Sequence, residues 1–423
     1  MDTLFQDLRY AFRMLLKRPG FTAVAVLALA LGIGANSAIF SVVNGVVLRA
    51  LPYKDPESLM MVWSLLQAPA GSQEFPVSAA DFTDWRDQNQ VFEQIAAFHS
   101  QPFNITGAGE PEVLGGVRSS ANLFSLLGIE AKLGRTFLPE EDQPGAGHVV
   151  VISHGLWERR FGSDPNIIGQ KLTLNDEPYT VVGVMPPGFQ FPRKGEMPAG
   201  YQFPRQADLY TPLAWTPNQI GNRGREFLAV IARLKPGVTV AQASADMDGI
   251  AERLKQQYPQ FNTNKEVVIV PLHQQVVSNV RTALLVLLGA VGFVLLIACA
   301  NVANLLLARA ASRQKEIAIR TALGASRSRV IRQLLTESML LSLTGGTLGL
   351  LLSMWGVDLL TAISPANLPR VDTISVDVRV FAFTLAVSLL TGIIFGLVPA
   401  IQASKPDVNE ALKEGGRASS VGH

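Results

Sequence analysis

The sequence predicts a membrane protein with four transmembrane α-helices and a large α+β extracytoplasmic domain between the first and the second. Three observations carry that expectation. Hydrophobic residues make up 48% of the 423 residues and charged residues only 17%, and the excess gathers in four runs, 21–48, 281–308, 334–363 and 380–403. Each reaches or exceeds the ~20 residues with which a helix crosses about 30 Å of hydrocarbon. Residues 49–280, by contrast, have a soluble composition, with short strand and helix patterns broken by Pro and Gly turns. The third observation is a basic segment, 309–332, in which Arg309, Arg313, Lys315, Arg320, Arg327, Arg329 and Arg332 are opposed only by Glu316. Such an excess of cations in a short loop marks the cytoplasmic side.

Taken in order, residues 1–20 place Leu4, Phe5, Leu8, Phe12, Leu15 and Leu16 near one helical face and Arg9, Arg13 and Lys17 on another, the pattern of an amphipathic interfacial helix. Pro19 and Gly20 are expected to separate it from the span at 21–48. That span is too long for the apolar region of a cleaved signal, so an uncleaved anchor is expected, with the amino terminus cytoplasmic. Within it Ala30, Gly34 and Ala38 recur every four residues, as do Gly345 with Gly349 in the third span and Gly392 with Gly396 in the fourth. Small residues at this interval let helix backbones approach closely in lipid. The second span is expected to pack around Gly289, Ala290 and Gly292, and Asn301 and Asn304 to bond between helices. Glu337 and Asp358, the acids of the third span, lie near its ends and are read as interfacial. A short outer loop at 364–379 precedes the fourth span, and Lys405, Lys413 and Arg417 place the tail at 404–423 in the cytoplasm.

In the outer region a strand is expected near 58–65, and Ser78 and Ser153 offer caps for helices ending near 90 and 161. A hairpin is expected at 171–184 around Asn175 and Asp176. Residues 227–272 read as a βαβ-like unit whose first strand lies beside its last, with an inserted lobe at about 117–212. Catalytic chemistry finds little support. His99, His148, His154 and His273 are scattered without metal-ligand spacing, no nucleophile elbow occurs, and Glu140, Glu141 and Asp142 read as a solvated loop. Cys299 stands alone and reads as a packing residue. A net charge of +2, with its cations at membrane edges, gives no reason to expect nucleic acid. No cofactor is expected.

The basic segment has internal structure. Residues 312–323 are helical by pattern, Gly324 supplies a stop, and Ser326 can cap a second helix that runs into the third span. Arg327 and Arg329 then fall in the first turn of that helix, where the macrodipole disfavours cations by ~0.3 to 1 kcal/mol each. Anionic lipid headgroups or an acidic partner surface would offset that cost.

The run KEIAIRTALGASRSRVIRQLLTES after a span ending NVANLLLARA resembles the loop between the second and third spans of the MacB/FtsX-like ABC transporter permeases. The amino-terminal DLRYAFRMLLKRPGFTAVAVLALALGIGANSAIFSVVNGVVLRALPY resembles the first half of the duplicated, acidobacterial-type members. The resemblance implies an outer region like the family's periplasmic core domain. It also implies a coupling elbow at 309–333, in which Arg313, Lys315, Glu316, Ile317, Arg320, Gly324 and Ala325, with Arg327 and Arg329, engage a cytoplasmic ATPase. No Walker lysine loop is present, so any ATP is expected on a separate polypeptide. The expected protein is therefore a non-enzymatic permease subunit of an ABC-type complex in the bacterial inner membrane, passing ATP-driven motion to its periplasmic domain for efflux or for envelope and lipoprotein handling. Its expected partners are the ATPase, a second permease copy or missing second half, membrane lipid and an envelope protein. The alternative is a non-transporting scaffold or sensor whose outer domain regulates an envelope partner.

Overall fold

Near-continuous apolar runs such as LMMVW and FLAVIARL mark strands with both faces covered. The computed structural model, which describes residues 2–68, 71–107, 110–192, 197–198, 201, 203–204, 206–312, 327–362, 374 and 376–403, places them in one mixed sheet. The chain divides into a sheet unit, built on Ala50–Asn279, and a helical unit that includes Met1–Arg49 and Val280–Ser364.

In the sheet unit β1 (Leu59–Ala68) pairs antiparallel with β2 (Gly71–Phe75), and β3 (Val77–Ser78) leads into helix α3 (Ala79–Gln88). The long strands β4 (Phe92–Thr106) and β5 (Glu112–Ser119) form an antiparallel pair, followed by helix α4 (Leu123–Leu127) and β6 (Leu133–Gly134). Next come β7 (Val149–Ile152), helix α5 (His154–Phe161), the hairpin β8 (Lys171–Leu174) and β9 (Glu177–Val184), and β10 (Leu209–Pro212). The unit closes with the short helix α6 (Pro217–Ile220), β11 (Glu226–Leu234), helices α7 (Val240–Gln257) and α8 (Pro259–Asn262), and β12 (Lys265–Pro271). The spatial order is β12-β1-β11-β4-β5-β10-β7-β9-β6.

Local chemistry explains many of these boundaries. The Ser78 hydroxyl accepts from the Asp81 N–H at 3.0 Å, and that of Ser153 accepts from Leu156 at 3.1 Å, which caps α3 and α5. Asn175 and Asp176 both take positive φ, 49° and 67°, as a two-residue hairpin turn requires. The βαβ reading needs correction. β11 and β12 are not neighbours, because β1, from the start of the unit, lies between them and pairs antiparallel with both. Pairing across some 170 residues leaves no local trace in the sequence.

Alternation along the strands divides the core between the two faces. Met60, Val62, Ile95, Ala97, Val230 and Ala232 meet α3 and α7, while Leu59, Met61, Trp63, Phe98 and Ile231 meet Phe124, Tyr210 and Phe191 on the other side. A third cluster, around Phe103, Ile105, Trp157 and Val181, fills the far end of the sheet. Buried Arg233 fastens the entry segment: its guanidinium donates to the carbonyls of Lys54 (2.7 Å) and Leu126 (2.6 Å) and to the Ser58 hydroxyl (2.6 Å).

The helical unit begins with α1 (Asp2–Leu16) and α2 (Pro19–Val43). The two helices are separate, as expected: α1 ends at Leu16 and Pro19 opens α2, where a first-turn proline loses no helical hydrogen bond. Then come α9 (Leu272–Ser312), α10 (Arg327–Ala362) and α11 (Val378–Ala403). Among the described residues three helices are long and apolar enough to cross a membrane: Pro19–Leu48, Val280–Ala308 and Ile331–Leu360. In α11 the apolar stretch Val378–Ile394 is shorter.

Candidate packing and coupling sites

The small residues of α2 and α10 meet backbone to backbone. A methyl group added at Gly34 would lie 2.8 Å from the Gly349 carbonyl oxygen, and one at Gly349 would lie 2.9 Å from both Ala30 O and Gly34 N. A methyl added at Gly345 would lie 2.7 Å from the Leu29 Cβ and 3.5 Å from Ala30 N, and one at Gly356 would lie 3.7 Å from the Ala38 Cβ. On the other side of α10, a methyl added at Gly392 would lie 3.1 Å from Met339 Cα, and one at Gly396 would run into the Ser338 side chain.

Polar rungs cross the same contacts, a signal that glycine spacing does not carry. Ser338 donates to Gly392 O at 2.9 Å, Ser342 donates to Ser388 O, and the Ser37 and Thr384 hydroxyls share a hydrogen bond of 2.7 Å. Asn36 donates to Val291 O at 2.8 Å and so ties α2 to α9. Where α2 ends, Asn44 donates to Asp377 at 3.0 Å, and the other Asp377 oxygen caps α11 by accepting from Arg379 and Val380 N–H. Burial works to raise the Asp377 pKa, but these bonds outweigh it and hold the carboxyl below its ordinary range.

Three expectations about the helical unit are corrected. Gly289 and Ala290 are exposed, and an added methyl at Gly289 or Gly292 would meet nothing within 4 Å, so α9 is not close-packed there. Asn301 and Asn304 are likewise exposed on α9. Glu337 does not reach an interface. It is 1% exposed, on the inward face it shares with Leu341 one turn on, whereas Asp358 is exposed.

Of the coupling segment, Arg313, Lys315, Glu316, Ile317, Arg320, Gly324 and Ala325 lie outside the described residues. Arg327 opens α10, and Arg329 is exposed in its first turn. Arg332 finds an acid beyond the segment, pairing with Asp7 of α1 at 2.8 Å. Upstream, the first turns of α9 are rooted in the sheet unit: Leu272, Val276 and Val277 are buried, and Trp63 Nε1 donates to buried Gln275 at 3.1 Å.

The sheet unit holds two polar clusters that sequence spacing did not reveal. Buried Asp81 accepts from Arg223 (2.7 Å), Ser78 (2.8 Å) and Asn262 (3.1 Å), while Arg223 also pairs with Asp84 and stacks 3.5 Å over the Tyr258 ring. Asp142, read from sequence as part of a solvated loop, instead accepts from Ala121 N–H (3.1 Å) and Ala214 N–H (2.8 Å) and ties three segments together. Burial raises its pKa despite those bonds. His99 is pushed down to about 4 by burial and packs edge-on against Phe227. His148 lies 3.4 Å from Glu177, and His154 lies 2.9 Å from Lys132 Nζ.

Long apolar helices with small-residue seams mark a membrane protein, and the sheet unit is a folded domain in the same chain. The MacB-like periplasmic core domain matches residues 22–250 and the FtsX-like permease C-terminal domain matches residues 288–408. The chain belongs to the family that joins these two domains. It is 28% identical over 281 residues to the pyoverdine export ATP-binding/permease protein PvdT of Pseudomonas syringae pv. tomato, covering 66% of this chain and 39% of that one. It is 29% identical over 320 residues to the ABC transporter permease YvrN of Bacillus subtilis, covering 74% and 72%. The chain thus spans about 39% of the length of the export proteins it matches. Among solved structures, the periplasmic region of MacB from Actinobacillus actinomycetemcomitans is similar at 13% identity and a TM-score of 0.38, covering 57% of this chain and 94% of that one.

Proposed function

We propose that the chain is the permease part of an ABC-type complex and passes ATP-driven motion from a cytoplasmic ATPase to a periplasmic domain. The observation that carries this reading is α9, one helix whose first turns are fixed in the sheet unit through Gln275 and Trp63 and whose last described residues, 309–312, begin the basic segment. In this reading α9 carries motion from the ATPase contact toward the sheet unit. In the same proposal the four runs at 21–48, 281–308, 334–363 and 380–403 all span the inner membrane. Both ends are cytoplasmic, and residues 49–280 are periplasmic with an inserted lobe at 117–212. Arg313, Lys315, Glu316, Ile317, Arg320, Gly324 and Ala325, with Arg327 and Arg329, form the ATPase contact. The seam of Ala30, Gly34, Ala38, Gly345, Gly349, Gly392 and Gly396 holds the other helices as a frame. The exposed sides of α9 are where a second permease unit or lipid packs. The kinship with an export protein and an ABC transporter permease supports this reading.

The test is to purify the full chain from its native membrane after mild cross-linking and to assay ATP hydrolysis in the complex. An ATPase is expected to accompany the wild-type chain and to be lost when Arg313, Lys315 and Arg320 are all replaced by Glu. If no ATPase accompanies the chain, or the triple reversal leaves its recovery unchanged, the coupling role is wrong and a scaffold or sensor takes its place.

A further inference from the structure

The sheet unit contains a cavity of about 500 Å³ where α3, the β5–α4 turn, the segment around 137–144 and the residues before α6 converge. Its size lies in the ~300 to 1,000 Å³ range of small-molecule sites. Phe82 and Trp215, in an edge-to-face pair with centroids 5.9 Å apart, and Phe137 form apolar walls. Many of the polar side chains around it are already committed. Ser120 bonds to the Ala97 backbone, Asn122 donates to Ile95 O, Thr83 donates to Ala79 O, and Ser125 donates to Asn122 O.

Two charged side chains line this space, and they differ in what they can offer a ligand. Asp142 has a backbone N–H on each carboxylate oxygen, from Ala121 and from Ala214, which hold it as a tie between loops, and the Arg86 charge acts on it from the same lining. Arg86 lies 5.9 Å from the centre of the Phe82 ring and is half exposed. It donates from Nε to the neighbouring Asp87 at 2.8 Å and, among the described residues, from neither Nη. An exposed pair of that kind contributes little, ~0 to 1 kcal/mol, and yields readily to a better partner. The Nη edge of a guanidinium is a two-pronged donor matched to a carboxylate.

We propose that this cavity binds a small organic carboxylate, its aromatic or acyl body against Phe82, Phe137 and Trp215 and its carboxylate on Arg86. The cavity lies wholly within the sheet unit, so the proposal stands independently of the coupling reading.

The test uses the full chain in lipid nanodiscs with 4-fluorophenylacetate as probe, followed by fluorine NMR line broadening against empty discs. The expected result is saturable broadening, with 4-fluorophenylacetamide, the neutral analogue, bound about tenfold more weakly, as loss of one charge-assisted pair predicts. Arg86→Ala, at an exposed position, lowers affinity for the carboxylate to that of the amide, and Ser125→Trp, which puts a bulky ring on the cavity lining, abolishes binding of both. Non-saturable broadening overturns the proposal, as does equal binding of acid and amide. Binding that survives Ser125→Trp in a protein with an unchanged melting curve overturns it too.

Discussion

α2 and α9 are both apolar helices of membrane-spanning length, yet 61% of the most apolar stretch of the first is buried and only 11% of the second. Both carry glycines and alanines. The difference is what faces them: Gly34 meets Gly349, whose missing side chain lets the two backbones touch, whereas no neighbour comes within 4 Å of a methyl at Gly289 or Gly292. Small residues therefore permit close packing without specifying it. In lipid there is no hydrophobic drive between helices, so an apolar surface with no matching groove stays on the outside. One helix is locked into a frame. The other is held along one side, at Asn36–Val291, Gly32 against Leu295, and buried Cys299 and Val302, while its opposite face is exposed.

The sharpest way to break this contrast is Gly349→Leu, which forces a side chain into Ala30 O and Gly34 N. It is expected to destabilise the helical unit by about 3 kcal/mol or more, since backbone must move, and denaturation of the purified protein in mixed micelles measures it. Asn36→Leu removes the bond to Val291 O and is expected to cost about 1 kcal/mol in the same assay. Its second signature is faster amide exchange around 285–295 with α10 unaffected. Ser37→Ala, which deletes the rung to Thr384, is expected to cost about 0.6 kcal/mol. Gly289→Leu is the smallest change, within about 0.5 kcal/mol, because the new side chain enters open space. A large loss at Gly289 would mean that α9 is packed after all.

How legible these features were in the sequence depended on the range of the physics involved. Ser78, Ser153 and the Asn175-Asp176 turn act within four residues, so their patterns and their structures agree. The seam glycines stand out because a four-residue interval defines one helix face. Which face finds a neighbour is a tertiary matter, and the same kind of residue therefore misled at Gly289 and Gly292. Long-range pairing hid β1 between β11 and β12, and it hid the ties made by Arg233, Asp81 and Asp142. Glu337 looked interfacial from its place in the run, but helix rotation, which position alone does not fix, turns it inward.

The division between a locked α2 and an exposed α9 is tested most directly on the wild-type chain, reconstituted at one copy per nanodisc with a lipid carrying a photoreactive acyl chain. Adducts are then mapped by mass spectrometry. On α9 labelling is expected across a broad face of nearly half the helix, at Val286, Phe293, Val294, Leu296 and Ile297, with Cys299 and Val302 unlabelled, and on α2 only along the narrow stripe Val24, Leu27 and Leu31, with Leu29, Ala30 and Ile33 unlabelled. Labelling of α9 confined to a single stripe, or adducts at Ala30 and Ile33, would contradict it.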